Sequence, residues 1–193
     1  MKQLIFVLIS TLVLLSCKTK NNEHSIESIS KEHPLDSLPA GRRVVTGFDA
    51  NGKSIILKDG LAPKAAYYYE PNVVKGYNAW LLKAVPTNLI DTLEPMMNGY
   101  DKTEPPTGGV IIRITTWAPG FKYPMHQTNT VDFGIVISGN LQLGLEADST
   151  IIGPGDLVVQ RATPHWWAVV GDKPCTIAFI LVDAKKDTES ARK

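Results

Sequence analysis

The chain has 193 residues, 44% of them hydrophobic and 20% charged, with a formal net charge of +1. That length suits one domain of ordinary size. So small a net charge excludes a strong field for attracting nucleic acid or anionic lipid. Fifteen glycines and thirteen prolines fall mostly between short apolar runs, a pattern that favours many strands joined by turns.

At the N-terminus Lys2 precedes an apolar run from Leu4 to Leu15, interrupted only by Ser10 and Thr11. The run is short for a bilayer span and has the length of a signal-peptide core. It ends in Leu14-Leu15-Ser16-Cys17, followed by Lys18-Thr19-Lys20. This pattern resembles the lipobox of bacterial lipoproteins. The resemblance implies that residues 1–16 are a signal peptide and that Cys17 is lipidated. The protein would then sit on a bacterial cell envelope, on the outer membrane or facing the periplasm, with the membrane as partner through its lipid anchor. With Cys17 acylated, Cys175 would have no disulfide partner. It opens the apolar run Cys175-Thr176-Ile177 and is expected to be a buried, inert thiol. The rest of residues 17–41 is polar, contains Pro34 and Pro39, and reads as a flexible tether.

The folded domain is expected over residues 42–184. Arg43-Val44-Val45-Thr46 and Ser54-Ile55-Ile56-Leu57 read as strands flanking a turn at Asn51-Gly52. Tyr67-Tyr68-Tyr69 is an aromatic cluster suited to packing or a dimer surface. Tyr77 to Val85 reads as a strand. Residues 87–109, with Pro95, Pro105, Pro106, Gly108 and Gly109, read mostly as loop. From Val110 onward β signals dominate: Val110–Thr116, Thr130–Ser138, Leu141–Leu145, Ser149–Ile152, Leu157–Arg161, His165–Val170 and Thr176–Val182. The gaps hold turn sequences such as Gly153-Pro154-Gly155-Asp156 and Gly171-Asp172-Lys173-Pro174. Short strands at regular spacing predict an antiparallel barrel or sandwich. Residues 185–193 form a charged tail.

Two of the four histidines, His24 and His33, lie in the tether, which leaves His126 and His165 for the domain. Asp132 sits among Val131, Phe133, Ile135 and Val136, where a carboxylate must either face water or find a buried partner. Two imidazoles and a carboxylate suffice to hold a divalent transition metal and leave positions open for substrate. The same groups could line a metal-free pocket in which Asp132 fixes one histidine tautomer. Thr128, Gln160 and Met125 are further pocket-lining candidates. Trp167 shares the parity of His165 and should point to the same face as a pocket wall, with Trp166 on the other face.

The spacing of these residues resembles the cupin family. Gly120, five residues, His126, Gln127, Thr128, three residues, Asp132, six residues and Gly139 follow the family's first motif. Gly155-Asp156 leading through Leu157–Gln160 to Arg161-Ala162-Thr163-Pro164-His165 follows the second, one residue shorter than usual. The run Val159–Trp167 and the lead-in Arg42–Gly47 are similar to a subgroup of small bacterial and fungal single-domain cupins, most of them of undefined activity. The resemblance implies an all-β antiparallel double-stranded β-helix, a jelly-roll barrel, with an N-terminal extension of short strands and loops. It implies that His126, Asp132 and His165 face the barrel interior as metal ligands. Thr128 stands where the family has its second histidine and Asp132 where it has glutamate, so at most three of four ligands are kept. Fe, Mn or Zn would suit them. It also implies a homodimer paired through sheet edges.

Two functional readings stay open. One is a metal-dependent enzyme of the dioxygenase, isomerase or decarboxylase type acting on a small organic molecule. The other is a non-catalytic module that binds such a molecule in a metal-free pocket. No nucleic-acid role is expected, and there is no phosphate-cradling glycine loop or nucleophile elbow.

Overall fold

The computed structural model describes residues 41–62, 67–70, 72–87 and 102–185. The chain divides into two compact units, Met1–Lys31 and Glu32–Lys193. The first lies wholly outside the described residues, and the fold is that of the second. The signal segment, Cys17 and the tether read in the sequence also lie outside the described residues, apart from Gly41.

The described residues form strands and the turns between them. In chain order these are β1 (Arg42–Phe48), β2 (Ser54–Leu61), β3 (Tyr67–Glu70), β4 (Val74–Leu82), β5 (Val110–Trp117) and β6 (Lys122–His126). They continue with β7 (Thr130–Ser138), β8 (Asn140–Gly144), β9 (Ser149–Ile152), β10 (Leu157–Arg161), β11 (His165–Val170) and β12 (Cys175–Asp183). A six-stranded sheet has the order β10-β7-β12-β5-β4-β3, a four-stranded sheet the order β6-β11-β8-β9, and β1-β2 stand as a hairpin of their own. All pairings are antiparallel. Neighbours such as β7 and β12, or β8 and β11, are distant in sequence, so the chain winds back and forth between the sheets as an antiparallel jelly roll. The all-β expectation holds.

Alternation along the strands decides what faces inward. On β7, Thr130, Asp132 and Val136 are buried while Ile135 and Ile137 are exposed. Their inward partners on β12 are Leu181 opposite Asp132 and Ile177 opposite Val136. Trp117, Val136, Cys175 and Ile177 from the larger sheet pack against Leu141, Leu143, Ile152, Trp167 and Val169 from the smaller one. A second cluster joins Ala62, Leu81, Ile111 and Leu181, and Phe179 packs against both. Burying side chains such as Ile111, Leu141 and Ile177 contributes about 1.5–3 kcal/mol each. Cys175 is the buried free thiol anticipated, and burial pushes it up to about 11.

Several boundaries differ from the sequence reading. The strand expected over Tyr77–Val85 runs from Val74 to Leu82, because β3 pairs with its first half and β5 with its whole length. β6 was not legible as a strand. It contains Pro124 and lies at the edge of the four-stranded sheet, where a proline need not give up a ladder bond. The Asn51-Gly52 turn is as expected: Gly52 has φ +76, and the Asp49 carboxylate accepts from the amides of Asn51 and Lys53 at 2.8 and 2.9 Å.

Candidate functional site

Inward positions on the larger sheet carry polar side chains, among them Asp132, Gln160, Arg113 and Asn78. Asp132 on β7 pairs in register with Gln160 on β10 and Leu181 on β12. Arg113 on β5 lies opposite Phe179 and Asn78. On the smaller sheet, His165 at the start of β11 pairs with His126 at the end of β6. The two imidazole rings lie with centroids 4.1 Å apart and planes inclined at 53°. The sequence placed these histidines some 40 residues apart, and β-sheet register brings them together.

Local chemistry fixes both rings. His165 Nδ1 lies 2.9 Å from the Thr163 carbonyl oxygen, and His126 Nδ1 lies 2.9 Å from that of Pro124. A carbonyl oxygen only accepts, so each Nδ1 carries the proton and donates it. In the neutral ring Nε2 is then the bare nitrogen, able to bind a cation or accept a proton. Tyr123 packs edge-on to His126 at 4.5 Å and Trp167 edge-on to His165 at 5.4 Å. Burial holds the His165 imidazole below its ordinary value and nearby His126 lowers it further, against the raising effect of the Thr163 carbonyl.

The turn ahead of His165 is held by side chains. Gln160 donates to the Thr163 carbonyl at 2.8 Å and also to the Thr163 hydroxyl. Gln127 donates to the Ala162 carbonyl at 2.5 Å. Ala162 itself has φ +51, a left-handed conformation that costs a non-glycine residue about 1–2 kcal/mol.

Asp132 is 6% exposed, and its Oδ1 has no hydrogen-bond partner among the described residues. Burial pushes its carboxyl above the ordinary value, opposed by the Thr130 hydroxyl and by the charges of His126 and Arg113, while Glu104 adds to the rise. The Thr130 hydroxyl donates to Thr128 Oγ1 at 2.7 Å, and both threonines are buried. Arg113 Nε donates to Asn78 Oδ1 at 2.8 Å, and its Nη2 to the Lys102 carbonyl at 3.3 Å. Glu104 accepts from the Asn129 amide at 3.0 Å.

The structure therefore joins His126 and His165 closely and sets Asp132 within reach of the charge of His126. Among the described residues, no group of three His, Cys, Asp or Glu gathers to hold a metal ion. The donor set suits a divalent transition metal at the two imidazoles and in the unpaired Asp132 oxygen, but the expected three-ligand cluster is not assembled. Thr128 and Gln160 are buried beside these groups. Trp167 serves two roles at once, packing in the core with Trp117 and meeting His165 edge-on. Trp166 lies on the other face against Gly144, as parity required. Met125 is exposed on β6.

Arg113, Asn78 and Glu104 were not among the residues singled out in the sequence. Arg113 had the same signal as Asp132, a lone charge inside an apolar, β-branched run. Asn78 and Glu104 had none, since their placement depends on strand register and on the loop before β5.

Comparison with known proteins now adds to this geometry. Residues 113–182 match the family described as "Cupin domain". A cupin-domain-containing oxidoreductase of Aspergillus ruber is 29% identical over 165 residues, covering 80% of this chain and 78% of that one. Another of Neurospora crassa is 27% identical, covering 86% and 84%. Among solved structures, the Schizosaccharomyces pombe Cnp3 cupin domain gives a TM-score of 0.46 at 8% identity, over 75% of this chain and 89% of that one. These relatives correct one expectation. They are fungal proteins named as oxidoreductases and point to a eukaryotic origin, not to a bacterial cell envelope. The match over residues 113–182, together with the oxidoreductase-named relatives, supports a cupin, and the described strands carry that domain as an all-β antiparallel jelly roll.

Proposed function

We propose that the chain is a cupin-domain oxidoreductase that takes a small organic molecule between its two sheets, with His126 and His165 as the reactive centre. The observation that carries this reading is the shared tether of the two rings. Both Nδ1 protons are given to backbone carbonyls, so two bare Nε2 atoms are presented from rings 4.1 Å apart. Rings serving only as core would need no such matched orientation. The names of the fungal relatives support redox chemistry; fold alone does not select a reaction.

A divalent transition metal of the Fe, Mn or Zn type, when bound, would supply Lewis acidity or dioxygen activation. His126 and His165 would hold it through Nε2, and Asp132 through the oxygen that lacks a partner. The chain's own residues do the rest. Thr163 and Pro124 orient the imidazoles, Gln160 and Gln127 hold the turn that seats His165, and Trp167 keeps water from one side of its ring.

A second reading is favoured by a specific observation. No three-donor group is assembled among the described residues, and burial disfavours the charged forms of both His165 and Asp132. Such a set also suits a metal-free polar pocket that binds a small molecule without transforming it.

The test is equilibrium dialysis of protein purified without chelator against Fe(II), Mn(II) or Zn(II). The metal reading expects about one equivalent bound, lost in His126→Ala and in His165→Ala. Absence of uptake by the wild type, with a screened organic compound still raising the melting temperature in the presence of chelator, would favour the metal-free pocket. If both alanine variants match the wild type in metal uptake and in ligand-induced stabilisation, the site is not at this histidine pair.

A further inference from the structure

One inward row of the larger sheet has no part in the histidine centre. Arg113 on β5 stands in register between Asn78 on β4 and Phe179 on β12. Ile111 and Thr115, at the same parity on β5, are buried, so Arg113 shares their inward face. Two neutral acceptors orient its guanidinium, Asn78 Oδ1 at 2.8 Å from Nε and the Lys102 carbonyl at 3.3 Å from Nη2. Neither acceptor carries a charge.

Asn78 adds a second donor beside it. An arginine N–H only donates, so Asn78 turns its oxygen to Arg113 and its NH2 group the other way. Asn78 is 7% exposed, and its NH2 group has no acceptor among the described residues. A buried amide in that state calls for one.

An apolar path runs from these donors to the imidazoles. A Cβ added to Gly134 would come within 3.1 Å of the Phe179 ring, so that ring leans towards β7, on the far side from β5. The Phe179 ring meets Trp167 at 5.9 Å, and Trp167 meets His165 at 5.4 Å. β5 and β7 are two strand spacings apart, about 10 Å, and Asp132 on β7 feels the charges of both Arg113 and His126. The donors and the histidines thus belong to one site.

We propose that Arg113 and Asn78 form a carboxylate-binding subsite, and that the molecule taken between the sheets is a small organic acid, its carboxylate on these donors, its apolar body along Phe179 and Trp167, and its far end at His126 and His165.

The far end rests on the reading of the histidine pair given above; the carboxylate end rests on Arg113 and Asn78. A planar guanidinium fork matches two carboxylate oxygens, and the Asn78 NH2 group supplies a further bond. The ligand joins the partners Arg113 already has and shares its fork with them. Charge selects a carboxylate over a phosphate. Burial drives Asp132 towards its neutral form, and the Asn129 amide supports the Glu104 carboxylate at 3.0 Å, so one further negative charge is accommodated. A dianionic phosphate would set two charges against one guanidinium with Glu104 nearby.

The experiment follows the Nε–Hε signal of Arg113 in nitrogen–proton correlation spectra of the full, chelator-treated chain, assigned by its loss in Arg113→Lys. Hexanoate, hexanamide and acetate are titrated at constant ionic strength, and hexanoate is also titrated into Asn78→Asp. That variant keeps an oxygen for Arg113 but replaces the two amide donors with a negative charge. Hexanoate should move the signal saturably. Hexanamide, which has the body without the charge, and acetate, which has the charge without the body, should each bind at least about tenfold more weakly. Asn78→Asp should weaken hexanoate by at least about tenfold as well. No saturable shift up to about 50 mM hexanoate overturns the proposal. So does equal affinity for hexanamide or for acetate in the wild type, a comparison that needs no variant to fold, and so does wild-type affinity in Asn78→Asp. Metal uptake by the wild type tests the histidine pair separately. Hexanoate preference without metal uptake sinks the metal reading alone, and metal uptake without hexanoate preference sinks the carboxylate subsite alone.

Discussion

His126 and His165 stand opposite each other across the β6–β11 pair, and each gives its Nδ1 proton to the backbone carbonyl two residues earlier in the chain. One local device thus operates twice, on strands that approach from different parts of the sequence. The expected consequence is a common tautomer. Nitrogen–proton correlation spectra of chelator-treated protein at alkaline pH should show both rings protonated at Nδ1 and bare at Nε2. Finding the proton on Nε2 in either ring would remove the basis for a paired centre.

Asp132→Asn should stabilise the protein near neutral pH. The buried carboxylate oxygen lacks a partner, and its folded value is raised above the ordinary 3.8. Above 3.8 the native state holds a proton that the unfolded chain has released, so stability falls as pH rises through the folded value. Asparagine removes that loss. A gain on the order of 1 kcal/mol, the scale of one unsatisfied buried polar group, is expected at pH 7 in urea denaturation and should shrink towards nothing below about pH 3.5. Weaker ligand or metal binding in the same variant would mark Asp132 as kept for function at a cost in stability.

His165 titrates in the opposite sense. Its folded value lies below the ordinary 6.5, so in that window the unfolded chain takes a proton that the native state refuses. Stability should rise with pH through the window and reach its full value above 6.5. The difference in unfolding free energy between the wild type and His165→Gln, measured against pH without metal, reports this slope directly. A flat difference curve would show that the ring is not desolvated.

Ala162→Gly should raise the unfolding midpoint. The φ of +51 strains alanine, and glycine adopts it freely, although glycine also loses more backbone entropy on folding. The net gain expected is about 0.5–1 kcal/mol. Gly139→Ala should do the reverse and cost more than 2 kcal/mol. At φ +73, an added Cβ would lie 2.3 Å from the Pro174 carbonyl oxygen and 2.7 Å from the Cys175 Cα, and neither backbone atom can swing aside. Thermal denaturation of the two variants side by side checks both signs.

Much of this was written into the residues. The strands from Val110 onward were legible because their β-branched alternation is a local signal, and the glycine turns punctuate it. His126 and His165 were legible as a pair because glycines and an acid stand at fixed distances around them. Arg113 was equally readable from its apolar neighbours but needs Asn78 across the sheet to show what it does. β6 escaped notice because Lys122-Tyr123-Pro124-Met125-His126 has no apolar period, and its extended form comes from β11 beside it. That no group of three donors gathers among the described residues was not legible either, because motif spacing fixes which strand a side chain stands on and not where its ligating atom lies.

The sealed thiol of Cys175 carries a practical consequence. It lies in the innermost layer with no solvent exposure and is pushed up to about 11, so a thiol reagent meets almost no thiolate until β12 parts from β5. In a Cys17→Ser background, the rate of disulfide-reagent coupling therefore times the spontaneous opening of the barrel. A molecule that settles between the sheets would slow that clock.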